Sequence, residues 1–196
     1  LPATHNNTTT NTYYSNNLLI TVTEPKNVTF TMTYDNNGNM LTQTDALNNT
    51  TTFQYNNLNQ LTQITDPKSY ITTYTYDYNG NRLSSTDANS TTTNYLYNYK
   101  DQLTQITDAL NNVTGLSYGG TGCSSCGTGG GDKLTAVTDA KNNTTSFIYD
   151  QTGKLTTETD PLGKITSYGY DGKGNLISRT SPDNKTITYN YDLNNR

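Results

Sequence analysis

Tryptophan is absent, histidine occurs once, cysteine and methionine twice each, and phenylalanine three times in 196 residues. The lone His5 sits in a Thr/Asn-rich start, so a His-based nucleophile pair would hang on one terminal residue, and no enzyme is expected. Charged residues make up only 14% and the basic ones are scattered, which excludes a basic groove for nucleic acid. The longest apolar run is Leu18-Leu19-Ile20, too short for a membrane span. No leader is visible and the chain does not begin with Met, as expected of a processed product or a piece of something longer. Hydrophobic content of 30% is low, but disorder normally brings high charge and few aromatics, and neither holds here. Seventeen tyrosines and abundant Thr suit a pleated, half-wet surface, so ordered β structure is expected.

Tyrosine recurs in phase at Tyr13, Tyr34, Tyr55, Tyr76, Tyr97 and Tyr118, every 21 residues, and again at Tyr149, Tyr170 and Tyr191. Only the interval from Tyr118 to Tyr149 is longer, at 31 residues. With each Tyr as slot 1, slot 11 is Thr in all eight complete repeats, from Thr23 to Thr180, and slot 12 is acidic in seven. Leu occupies slot 7 or 8, as in Leu41, Leu61, Leu83, Leu103, Leu134, Leu155 and Leu176. Slot 20 is large and apolar or aromatic throughout, from Met32 and Phe53 to Tyr189. Slots 2–6 read Asp-x-x-Gly-Asn at Asp35–Asn39 and Asp77–Asn81, which is turn chemistry: Asp caps its own backbone and Gly accepts positive φ. Slots 7–12 then form a first strand, such as Leu61–Asp66, slots 13–16 a second turn, and slots 17 to the next Tyr a second strand. Slots 20 and 22 share parity and face one side, which places the nine phased tyrosines in the expected core. The domain reading is a partial repeat at 1–12, eight repeats over 13–190 with a ten-residue insertion in 118–148, and a partial repeat at 191–196.

The motif Tyr-Asp-x-x-Gly-x-Leu…Thr-Asp-Pro-x-Gly, seen at Tyr149–Leu155 with Thr159–Gly163, resembles the YD-repeat (Rhs) family. The match covers roughly residues 13–196 and recurs in register. It departs at Asn56, Asn98, Asn59 and Asp101, where the family pattern has Asp or Gly, and lacks the aspartyl-protease-like segment that closes family shells. The resemblance implies β-hairpin ribbons that spiral into hollow shells, as in bacterial toxin cocoons and teneurin barrels. The expected fold is therefore all-β: tandem hairpin repeats in a coiled antiparallel ribbon or spiral shell. Sixteen strands at about 4.8 Å give a ribbon on the order of 75 Å long, twisting by nearly a revolution.

Candidate chemistry is sparse. Paired Asp residues recur at every repeat and so mark a turn device rather than a unique acid–base pair. Asp35, Asn36, Asn37 and Asn39 put several oxygens in one turn, allowing weak calcium there; no other cofactor is expected. Cys123 and Cys126 lie in the Gly-rich insertion. Two cysteines fall short of a zinc site, no His follows for haem, and the readings are a small disulfide pinning the loop or bridges between chains. Asn27, Asn48, Asn49, Asn89, Asn112, Asn142, Asn143 and Asn184 head Asn-x-Ser/Thr sequons. Most fall in the second turn, which makes them either glycosylation acceptors along one rim or by-products of an Asn/Thr-rich turn.

Two functions are carried forward. In the first, an extracellular structural subunit polymerises head to tail into a filament or tube. Its tail half-repeat and the next copy's Leu1–Thr12 would complete one shared unit, where arbitrary cuts are the plainer account. In the second, the chain is a fragment of a larger YD-repeat toxin shell or a glycan-binding surface adhesin. Both place it outside the cell or at its surface, with its own copies or glycans as partners.

Overall fold

The computed structural model describes residues 9–24, 28–119 and 132–192, and among these there is no helix. The chain divides into two units, Leu1–Asn94 and Tyr95–Arg196. The first contains β1 (Thr10–Tyr13), β2 (Leu19–Glu24), β3 (Val28–Tyr34), β4 (Met40–Thr44), β5 (Thr50–Tyr55), β6 (Leu61–Thr65), β7 (Ile71–Tyr76), β8 (Arg82–Thr86) and the start of β9 (Thr92–Tyr97). The second holds the end of β9, then β10 (Leu103–Thr107), β11 (Val113–Gly119), β12 (Lys133–Thr138), β13 (Thr144–Tyr149), β14 (Leu155–Thr159), β15 (Ile165–Tyr170), β16 (Leu176–Thr180) and β17 (Thr186–Thr188). In each unit every strand pairs antiparallel with its neighbour in sequence. The fold is thus all-β and built from tandem hairpins.

Both turns of a repeat are the same object. In the first, the Asp35 N–H donates to the Asn39 carbonyl and the Gly38 N–H to the Asp35 carbonyl; in the second, Asp45, Asn48 and Asn49 repeat both bonds. Turns of this form begin at Asp35, Asp45, Asn56, Asp66, Asp77, Asp87, Asn98 and Asp108, and again at Asp139, Asp150, Asp160, Asp171 and Ser181, spaced alternately by 10 and 11 residues. The fourth turn residue is always left-handed. Among the described residues every positive φ falls there or at its counterpart Asn17, as in Asn48 (63°), Ser69 (67°), Asp101 (59°) and Gly174 (94°). Slot 12 therefore opens the turn rather than ending the strand, except at Glu24 in β2.

The eleventh residue of the longer half is a β-bulge. Tyr55 lies opposite Leu61 and Gln54 opposite Gln63, which leaves Thr62 as the extra residue. The same shift sits before Tyr34, Tyr76, Tyr118, Tyr149 and Tyr170. Side chains alternate with period two, so an odd repeat would otherwise turn every second unit inside out. The bulge absorbs the odd residue. It also lets Leu61 and Ile64, three apart, share a face: Leu61 stands opposite Tyr55 and Ile64 opposite Phe53.

The sheet has two chemically distinct faces. The Tyr face carries slots 20 and 22, with slots 7, 10 and 18 opposite or beside them. The other carries slots 9, 11, 17 and 19, nearly all Thr or Ser in the first unit. Phe53 and Tyr55 are half-buried while Gln54 between them is exposed. Among the described residues none is fully buried. The expectation that the phased tyrosines are core is corrected accordingly: interior rings are half-buried, and Tyr13 and Tyr191 are 53% and 40% exposed. One layer of sheet covers a ring from its sides only; full burial needs a second layer.

Candidate functional surfaces

Each turn is closed by its first side chain. Asp35 Oδ1 accepts from the Asn37 and Asn39 N–H groups at 2.9 Å each, and Oδ2 accepts from the Asn39 amide at 2.8 Å. Asp45, Asp77, Asp108, Asp139 and Asp171 are held by the same kind of Asn side chain and backbone N–H bonds. These bonds, the Asn side chain's foremost, hold all six carboxyls below the usual carboxylate range. At Asp150 the Lys154 N–H leads and the Thr152 hydroxyl follows. The carboxylates serve their own turns: at Asp35 both oxygens already accept internal bonds, and a calcium ion there would compete with those donors. Among the described residues no group of three or more His, Cys, Asp or Glu could hold a metal ion.

Successive first turns stack. Asn59 Oδ1 accepts from Asn37 Nδ2 at 2.9 Å and Asn39 Nδ2 at 2.8 Å, one repeat away. A Cβ built on Gly153 or Gly174 would come within 3.0 or 2.9 Å of Lys133 Cε or Lys154 Cε of the preceding repeat, so glycine serves both the left-handed backbone and the stacking there. The same lysines reach the next phased ring: Lys133 Nζ is 5.8 Å from the Tyr149 centroid and Lys154 Nζ 5.6 Å from that of Tyr170.

The phased tyrosines have a specific task. Tyr76 Oη donates to the Leu61 carbonyl at 2.8 Å, Tyr149 to Leu134 at 2.9 Å, Tyr170 to Leu155 at 2.9 Å and Tyr191 to Leu176 at 3.0 Å. In the β6–β7 pair the ladder runs only from Gln63↔Thr73 to Thr65↔Ile71. Leu61 lies beyond it, and the hydroxyl takes up the carbonyl there. Burial raises the hydroxyl pKa of Tyr55, Tyr76 and Tyr170.

Thr at the bulge is a residue class that sequence reading missed. Thr62, Thr104, Thr135 and Thr156 donate to the Gln54, Leu96, Ser117 and Ile148 carbonyls across the strand at 3.1–3.2 Å. The alternation of Leu between slots 7 and 8 was the available signal: with Leu at 7, Thr fills 8 at these four, while Ile20 and Ile177 stand there after Leu19 and Leu176. The slot-11 Thr bonds a slot-17 Thr where one stands opposite, whereas Thr65, Thr107 and Thr159 face Ile71, Val113 and Ile165. Thr44 Oγ1 bonds Thr50 Oγ1 at 2.8 Å, and Thr86–Thr92, Thr138–Thr144 and Thr180–Thr186 repeat the pair at 2.8–2.9 Å.

The sequons separate by position in the turn. Asn48, Asn142 and Asn184 occupy the exposed left-handed tip. Asn49, Asn112 and Asn143 sit one residue later or at its equivalent, with their amides donating to Asp45, Asp108 and Asp139. Asn89 is exposed at the third turn residue, its N–H on Asp87. Asn27, Cys123, Cys126 and His5 lie outside the described residues. Gly119 pairs with Lys133, so the Cys-bearing insertion joins two paired strands where a first turn would stand.

A chain of self-capped hairpin turns, bulged once per repeat and tied by phased tyrosines, is a tandem β-repeat array. The RHS Repeat family model matches residues 13–50, 34–71, 55–92, 131–165, 149–186 and 170–196, and the chain belongs to that family. No curated protein matches it. Among solved structures it is similar to a chain in the crystal structure of TcdB2-TccC3-Cdc42, with a TM-score of 0.63 and 20% identity over 85% of this chain. It is also similar to TcdB2-TccC3 without its hypervariable C-terminal region, with a TM-score of 0.50 and 15% identity over 94% of this chain. It spans only 10% and 13% of those chains. The likeness is one of fold.

Proposed function

We propose that the chain is a non-catalytic wall segment of a larger secreted or surface-associated RHS shell. The observation that carries this reading is the half-buried Tyr face. Its rings line one side of the sheet, and among the described residues nothing lies over them to bury them fully. A curved wall brings such a face against its own further turns or against enclosed protein. The similarity to chains of the TcdB2-TccC3 complexes, of which this one spans about a tenth, supports the same reading. The filament first expected from the terminal half-repeats has no comparable support, and glycans remain at most a decoration of the second-turn rim.

Negative-stain electron microscopy of the purified chain, with light scattering, tests it. Separate short curved ribbons that bind an apolar dye strongly are the expected result. Regular helical filaments of fixed subunit rise would sink the shell reading in favour of head-to-tail assembly.

A further inference from the structure

The face opposite the tyrosines carries an ordered lattice in the first unit. Thr12 stands opposite Thr21, Thr21 opposite Thr31, Thr31 opposite Thr44 and Thr44 opposite Thr50, an unbroken row over five strands. On one side runs Thr10–Thr23–Thr29, and on the other Thr33–Thr42–Thr52–Thr65. Strand spacing of about 4.8 Å and about 6.8 Å between alternate residues put twelve Thr on a patch of roughly 24 by 13 Å. No charged residue occupies any of these register points.

Strand propensity alone does not explain this. Thr suits strands whichever side it faces, yet the corresponding positions on the Tyr face of the same strands are Val22, Phe30, Met32, Gln43, Thr51, Phe53 and Ile64. Uniformity is confined to one face, where the pair Gln54 and Gln63 interrupts the threonines at the β5–β6 edge. Eight of the twelve hydroxyls are also held in pairs: Thr12–Thr21 and Thr33–Thr42 are 2.6 Å apart, Thr44–Thr50 2.8 Å and Thr23–Thr29 3.2 Å. One proton per pair is used internally, and the other proton and the lone pairs are available to water.

From this geometry we propose that the Thr face of β1–β6 is an ice-binding surface. Charged groups would impose their own hydration shells; methyls leave water bonded to water, and fixed hydroxyls pin that layer to the protein. About 4.8 Å across the strands and about 6.8 Å along them make a two-dimensional repeat of hydroxyls, and ice is the aqueous phase that presents a long-range repeat to match. A crystalline polysaccharide also has ordered hydroxyls, but sugar rings are gripped by aromatic planes, and the ring-bearing paired positions lie on the other face. The Thr face lies opposite the rings whether or not the chain forms part of a wall.

The test is nanolitre osmometry on the full chain, with ice-crystal shape recorded. The expected result is faceted growth and a gap between melting and freezing. Thr31→Lys and Thr33→Lys, at exposed points of the lattice, should reduce that gap to the buffer level while circular dichroism and Tm stay near the parent's. Gln43→Lys, on the Tyr face, should retain it. Round unshaped crystals with the parent chain overturn the proposal, as does a gap that survives both threonine substitutions. Sedimentation with crystalline cellulose or chitin, combined with no effect on ice, overturns it in favour of a polysaccharide partner.

Discussion

Tyr76 shows what one side chain contributes in a sheet with only one layer. Its ring is flanked by neighbours rather than enclosed, so truncation costs less than in a closed core, where aromatic-to-Ala changes run to about 3–5 kcal/mol. Tyr76→Ala should fall near or below the lower bound, and Tyr76→Phe, which deletes only the hydroxyl on the Leu61 carbonyl, should cost about 1 kcal/mol. Urea denaturation of the two variants checks both; a harmless Tyr76→Phe would mean that water serves the carbonyl equally well. A second residue-scale expectation concerns the left-handed positions. Ser69 and Ser90 sit at φ of 67° and 62°, where a Cβ is unfavourable by about 1 kcal/mol or more. Ser69→Gly and Ser90→Gly should each stabilise by up to about 0.5–1 kcal/mol after the added freedom of the unfolded chain is subtracted. A lowered urea midpoint in either variant would contradict the assignment.

Turns and bulges decide behaviour at the scale of the element. The turn carboxyls of Asp35, Asp45, Asp77, Asp108, Asp139 and Asp171 have folded-state pKa values below the unfolded value. Their contribution is present above the unfolded carboxylate pKa near 4 and is lost as pH falls through the lower folded values. Melting temperature should accordingly decline below about pH 4. The tyrosines act at the other end: Tyr55, Tyr76 and Tyr170 have raised values, so their contribution is complete below about pH 10 and lost as pH rises through the folded value. A thermal melt series from pH 2 to pH 12 would reveal both limbs. Calcium should leave the curve unchanged, because both oxygens of a carboxylate such as Asp35 already accept internal bonds. The bulge offers a sharper test. Deleting Thr62 removes the extra residue and leaves Leu61 and Ile64 two apart, so both stay on the Tyr face in an unbulged ladder. In urea denaturation the deletion should cost about as little as Thr62→Ala, which keeps the bulge and loses one hydroxyl bond worth about 1 kcal/mol; a much larger loss would show that the local twist of the bulge is itself required.

For the whole molecule, the relevant property is that each hairpin pairs with its sequence neighbours, so stability accumulates along the chain as in other repeat proteins. Deleting one complete 21-residue period within the first unit, such as 56–76, rejoins equivalent positions and should leave a folded chain with a smaller denaturant m-value. Deleting only 56–65 removes one turn and one strand and reverses the direction of everything that follows. The full-period variant should keep a sheet spectrum and cooperative melt, whereas the half-period variant should lose both. Equal behaviour of the two deletions would deny the alternating 10- and 11-residue spacing its structural meaning.

Much of this could be read from the chain itself. The phase of Tyr and Thr, the Asp-x-x-Gly turns and the scarcity of charge specify hairpins and their direction, because turn chemistry and side-chain alternation act within a few residues. The repeat family was legible for the same reason. The identity of the two turns was hidden, since Gly38 and Asn48 are unlike residues that share a left-handed backbone. Where the odd residue went was hidden too: Leu at slot 7 or 8 looked like variation until register placed Thr62 in a bulge. Only tertiary structure decided that Tyr76 reaches Leu61, that the rings remain half-covered, and that twelve threonines align into rows. Those facts depend on which strands lie side by side and on how many layers a sheet has, and neither is contained in a local pattern.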